Sequence, residues 1–230
     1  MKIGVICEGH ADRAVIINIL TGLTGLDSSA IEPLRPVYAK DETDKAIVDP
    51  LTFSNWSIVK QECESRELID GFLAIEDQEF ITIHIDSAES HEYGIIRPDR
   101  KSDNYCQQLR KLIIDHMNNV WFGEDLSEVI LYAIAIEEID AWILTIFEKT
   151  DTSKFLDAKG RLGKALAKQN INSTSNFENY IKLSKSLSKT KLVNRNDYLE
   201  YNCSLKAFYQ EIIDKVMPKM PEEHSDKGDN

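Results

Sequence analysis

No stretch of this chain is apolar for long enough to cross a membrane, because every apolar run falls short of the ~20 residues a spanning helix needs. The N-terminus does not read as a secretory leader either. Its apolar start at 3–7 is short, and Glu8, Asp12 and Arg13 break the pattern directly after it. The cysteines, Cys7, Cys63, Cys106 and Cys203, are scattered with no CxxC pair. That argues against zinc and for reduced thiols in a cytoplasmic protein. A GxxxxGK[ST] phosphate loop is missing, so ATP hydrolysis would have to come from a partner. There is no Ser/His/Asp motif and no internal repeat. Basic charge is in short supply: 27 Lys and Arg against 39 Asp and Glu leave a net charge of −12. Taken alone, that balance argues against a nucleic-acid partner.

What is present modifies that last exclusion. From Lys154 to Arg195 ten basic residues, among them Lys159, Arg161, Lys164, Lys182 and Lys185, meet only Asp157 and Glu178. An acidic body joined to a basic arm is a different object from a uniformly acidic protein. The segment reads equally as a solvated lysine-rich surface. The 230 residues suit one α/β domain with an appendage or two small domains, and 42% hydrophobic content is enough for a sizeable core.

The apolar pattern predicts strands over 2–7, 33–39, 80–86 and 129–136. It predicts helices over 11–21, 62–75, 104–120 and 137–147. Pro33 and Pro36 restrict the second strand to an edge. Residues 40–60 read as an irregular insertion and 87–102 as a loop. Strands that alternate with helices and are apolar throughout imply a mainly parallel, Rossmann-like sheet covered on both faces. Beyond Thr150 the pattern is helical, over 160–169, 176–189 and 203–217, and the polar end reads as disordered. The expected organisation is an α/β domain over 1–150, a basic helical region over 151–217 and a polar tail over 218–230.

In parallel sheets ligands gather at the carboxyl ends of the strands, and three predicted strand ends carry acids. The first ends at Glu8-Gly9 and the third at Asp86, followed by Glu89 and Glu92. The fourth delivers Glu137, Glu138 and Asp140 where strand becomes helix. On a helix Glu137 and Asp140 are three apart and share a face. Carboxylates gathered at one edge repel unless a cation or protons compensate. Mg2+, or Mn2+ in its place, is the natural cation for hard oxygen ligands and phosphate substrates. Taken singly, Glu8, Asp12 and Glu138 read rather as helix-start carboxylates beside N-terminal dipoles. His10 at the turn and His84 inside a strand read as a surface group and a structural group.

The stretch "VICEGHADRAVI" resembles the opening of a TOPRIM domain, the fold shared by topoisomerases, primases and OLD-type nucleases. There a Glu-Gly after the first strand is followed three residues on by an acid, here Asp12. "ITIHIDSAE" resembles the later TOPRIM strand that ends in Asp-x-Asp. "IAIEEIDAWIL" is similar to a segment of a bacterial TOPRIM-like family of unknown function, often encoded beside ATPases in defence or mobile regions. "NYIKLS" and "CSLKAFYQEI" resemble the helical end of that family. The resemblance implies that Glu8, Asp86 and Asp140 hold metal and carry catalysis, with Glu89 and Glu137 assisting as ligands. It implies a Mg2+-dependent nuclease or related phosphoryl-transfer enzyme, with the basic segment on nucleic acid and an ATPase as partner. The departure is Ala88, which stands where the pattern has its second Asp. That departure favours the alternative of a non-catalytic module binding an ATPase or nucleic acid. An enzyme acting on small phosphorylated substrates is a third reading.

Overall fold

The structure, a computed structural model, describes residues 1–37 and 54–220. Most of the expected insertion, 40–53, and the tail from 221 lie outside the described residues. Strands β1 (Lys2–Ile6), β2 (Ile31–Arg35), β3 (Gln78–Asp86) and β4 (Ile130–Ala135) form one all-parallel sheet in the order β2-β1-β3-β4. Helices flank both faces, as the apolar pattern implies for a Rossmann-like α/β fold with a helical C-terminal region. Among the described residues no helix is long and apolar enough to cross a membrane.

Alternation along each strand builds two separate cores. Ile3, Val5, Phe80, Leu131 and Ala133 face one layer; Ile6, Ile81, Ile83, Ile85, Ile130, Tyr132 and Ile134 face the other. Helix α1 (His10–Thr24) covers the first face. Helices α2 (Trp56–Ser65), α3 (Glu67–Leu73) and α4 (Tyr105–His116) cover the second. Burial of each such side chain contributes roughly 1.5–3 kcal/mol, which is why continuous apolar runs settle as central strands.

The C-terminal helices share the first core. Helix α5 (Asp140–Phe147) is followed by α6 (Ala158–Ala167), α7 (Phe177–Leu183), α8 (Thr190–Arg195) and α9 (Cys203–Lys215). Leu162, Tyr180, Val193, Leu205, Phe208 and Ile212 pack in the same cluster as Ile3 and Val5. The centre of this layer is Trp142, fully buried, stacked on Phe208 with ring centroids 5.7 Å apart and donating its indole N–H to Ser204 Oγ at 2.8 Å. Asn202 caps α9 through Oδ1, which accepts from the backbone N–H groups of Ser204 and Leu205.

Several elements differ from the sequence expectation. The predicted helix over 62–75 is two helices, because Arg66 adopts a left-handed conformation (φ 62°) that ends α2 and starts α3. Ile75 lies beyond the end of α3 and is exposed. The helix over 104–120 changes hydrogen-bonding pitch after His116 and finishes as a π-helical turn, Met117–Phe122. The helix expected from Glu137 starts at Asp140, since Glu137 is itself left-handed (φ 64°). Pro33 sits in the edge strand β2, where its missing N–H costs no ladder bond on the outer side.

Candidate functional site

The chain leaves β1 through α1 to reach β2 on one side, then crosses to β3 on the other. The carboxyl ends of β1 and β3 therefore flank the switch point of the sheet, where open α/β sheets form their crevice. A cavity of about 390 Å³ opens there, lined by Glu8, Asp12, Asp86, Glu138 and Asp140 together with Lys159, Asn55 and Asn176.

Glu8, Asp86, Asp140 and Glu138 are each positioned by a specific bond. Glu8 Oε1 accepts from the backbone N–H of Asp86 at 2.6 Å, tying the end of β1 to the end of β3. Asp86 Oδ1 accepts from the N–H of Ile139 at 2.9 Å, at the turn that starts α5. Asp140, in the first turn of α5, accepts from the Tyr180 hydroxyl at 2.5 Å. Glu138 Oε2 accepts from the N–H of Lys159 at 2.9 Å, so it binds the start of α6. Asp12 occupies the first turn of α1, and Gly9 precedes that helix. A Cβ at Gly9 would come within 3.0 Å of Asp12 Oδ2. The glycine after Glu8 thus leaves room for a second carboxylate.

Crowding and burial push these groups away from ionisation. Burial, then the charge of Asp86, raises Glu8 well above the usual carboxylate range. Burial, followed by Asp140 and Glu138, does the same to Asp86. Asp12 is pushed up to about 7, mainly by burial, with Asp86 and Asp140 adding and Lys159 opposing. Asp140 is also raised by burial, against the hydrogen bond from Tyr180. Glu8, Asp12 and Asp86 are half-buried by accessible surface, so water at the cavity mouth moderates these shifts.

Beneath the acids lies His84, fully buried, with Nε2 3.3 Å from Asp86 Oδ1 and its ring edge-on to Trp142 at 6.4 Å. Burial lowers its pKa despite the nearby Asp12 charge, so it stands as neutral imidazole. Neither ring nitrogen makes a hydrogen bond of good geometry among the described residues.

The structure brings Glu8, Asp86 and Asp140 to one cavity and adds Asp12 and Glu138, which the sequence reads singly as helix-start acids. Glu89 stays outside the cavity lining, although its charge acts on Glu8 and Asp86. Glu137 does not join them. Its left-handed backbone, pinned by an N–H bond to Ser87 Oγ at 2.8 Å, points the side chain elsewhere. There Glu137 Oε1 meets Arg97 at 2.6 Å and Arg100 at 2.7 Å, in a buried ion-pair cluster beside Tyr105. Spacing does not single out Tyr180; the stretch "NYIKLS" carries the one sequence signal for it. Of the basic candidates, Lys159 lines the cavity, while Arg161, Lys164, Lys182 and Lys185 lie exposed on the same C-terminal layer. Among the described residues, no three His, Cys, Asp or Glu side chains already form a metal-binding group.

No family model, curated protein or solved structure matches this chain.

Proposed function

We propose that this protein is a TOPRIM-like phosphodiester hydrolase that acts on nucleic acid with Mg2+ or Mn2+. One observation carries the reading: five carboxylates from the ends of β1, β3 and β4 and the starts of α1 and α5 line a single cavity at the sheet's switch point. Their chemistry fits a hard divalent cation. The donors are all carboxylate oxygens, and the described bonds of Glu8, Asp86, Glu138 and Asp140 each use one named oxygen of two. Glu8, Asp86 and Asp140 are the candidate ligands, with Asp12 and Glu138 beside them. When bound, such a cation supplies Lewis-acid polarisation of a phosphoryl oxygen and a water of lowered pKa.

The chain's own groups account for the rest. Lys159 places a cation at the cavity wall, where a phosphate would meet it. Asp12, in the first turn of α1 at the cavity wall, is placed to accept or deliver a proton at its carboxyl. Tyr180 orients Asp140, and Ile139 orients Asp86. A cytoplasmic setting goes with this reading, in keeping with four unpaired cysteines.

The test is isothermal titration of Mg2+ and Mn2+ into wild type and Asp86→Asn, then cleavage assays on single- and double-stranded DNA and RNA. Binding and cleavage in wild type, both lost in a folded Asp86→Asn, are the expected outcome. A second reading is a non-catalytic module that binds nucleic acid or an ATPase partner. Ala88 favours it, because no carboxylate stands where the pattern has its second acid. Metal and nucleic-acid binding without cleavage under any of these conditions selects that reading.

A further inference from the structure

Two of the four cysteines meet at a place that the acid cavity does not use. Cys106 is the second residue of α4 and Cys203 the first of α9, so the sheet's second face and the C-terminal layer each present a thiol at a helix start. Each thiol acts on the titration of the other, so the two side chains are neighbours. Both are also tied to Ser153: Cys106 Sγ donates to its carbonyl at 3.7 Å, and its hydroxyl accepts from the N–H of Cys203 at 2.9 Å. Cys106 is buried and Cys203 is half-buried; both line a cavity of about 200 Å³ with Gln107, Arg110, Lys111 and Ser204.

The two thiols differ in the way a reactive pair requires. Cys203 is shifted toward the thiolate, first by its side-chain interaction with Cys106, then by Ser153 and its own backbone N–H, against burial and the charge of Asp151. Cys106 is shifted the opposite way, because of its side-chain interaction with Cys203 and because it is buried. A partly exposed thiolate at a helix N-terminus is the nucleophile, and a buried thiol in contact with it is the group that resolves the product. Cys7 and Cys63 are the contrast. Both are fully buried, their thiols are pushed up by burial, and each is in a core.

We propose that Cys106 and Cys203 form a reversible disulfide site whose oxidant is hydrogen peroxide. The Cys203 thiolate attacks one peroxide oxygen, forming an S–O bond and breaking O–O. The departing hydroxide takes up a proton and leaves as water. The Cys106 sulfur then attacks the Cys203 sulfenic acid, forming S–S and breaking S–O, and its thiol proton leaves with the hydroxyl as a second water. Two thiols have lost two electrons and the peroxide has gained them; a dithiol reductant restores the pair by exchange. The bridge would join α4 to α9 and close the segment that carries β4, Glu138, Asp140, Lys159 and Tyr180 into one covalent loop. It is independent of the metal reading.

The experiment treats the reduced full-length chain with stoichiometric hydrogen peroxide and reads intact mass, peptide maps and Tm. Wild type should lose two hydrogen atoms, yield a linked Cys106–Cys203 peptide and regain both thiols with dithiothreitol. Closing so long a loop should raise Tm by on the order of 10 °C. Cys106→Ser should stop at a Cys203 sulfenic acid captured by dimedone, and Cys203→Ser, or Cys203→Ala if the serine variant misfolds, should leave Cys106 as thiol. Cys7 and Cys63 should stay unmodified throughout. The proposal is overturned if Cys203 stays a thiol, if its sulfenic acid is captured by dimedone in wild type without a linked peptide, or if Cys203 pairs with another cysteine or another chain.

Discussion

At the scale of single residues, Asp12 shows most directly what the cavity does to charge. Its carboxyl titrates at about 7 in the folded protein against an ordinary 3.8, chiefly because it is buried, with like charges adding. The folded state therefore holds a proton that the unfolded state has released between about pH 4 and pH 7. Stability from this group is complete below about pH 4 and is lost as pH rises through about 7. Metal-free wild type should lose stability over that interval, by about 1–2 kcal/mol from Asp12 after allowing for water at the mouth. Asp12→Asn should flatten the decline and be the more stable protein at pH 8 in EDTA. Thermal melts at unit pH steps check this; parallel curves for the two proteins would show that the cavity does not strain Asp12. Cation binding reverses the sign, since a bound ion replaces the protons. Glu8→Gln and Asp86→Asn should accordingly lose cleavage by at least ~10²-fold while keeping or raising metal-free Tm. A large fall in Tm for both would mark them as structural.

Among elements, α1 is held by backbone approach as much as by side chains. A Cβ on Gly22 would stand 2.5 Å from the backbone of Ser188, in the short 3-10 turn Lys185–Ser188 that comes after α7. Thr190 Oγ1 also donates to the Gly22 carbonyl at 2.9 Å. Gly22→Ala must push that turn away and should cost about 1–3 kcal/mol in urea unfolding; an unchanged midpoint would refute the contact. The strands are legible in the sequence because buried parallel strands are apolar without interruption, as in 80–86 and 129–136. Their acids are legible because such a strand has few other reasons to end in carboxylates three times over. Less is readable at the turns. Arg66 and Glu137 both adopt left-handed backbone, and neither residue type announces it, so periodicity runs two helices together and gives one glutamate the wrong neighbours. The role of Tyr180 depends on α7 packing against α1, a long-range contact that local periodicity does not encode.

For the molecule as a whole, the separation of charge is what the net value of −12 hides. The basic segment is no detached arm: its helices join α1 in the core on the sheet's first face, and one of them brings Tyr180 to Asp140. Lys182 lies two residues beyond Tyr180 in α7, and Lys185 is in the next turn. Both are exposed, and neither forms an ion pair among the described residues. Lys111, on the other layer, is exposed too, but is paired with Asp115 at 2.5 Å. A nucleic-acid strand whose phosphate lay at Lys159 would therefore be expected to run over the C-terminal layer and displace counterions there. Lys182→Ala with Lys185→Ala should weaken binding and flatten its dependence on salt, each lost phosphate contact removing about 0.7–0.9 from the log–log slope. Lys111→Ala should leave both affinity and slope unchanged. Anisotropy titrations of labelled DNA and RNA from 50 to 200 mM salt (on the order of the range over which such contacts act) separate the cases. Equal slopes for wild type and the double variant would take α7 out of the interface and leave Lys159 as the phosphate contact to test.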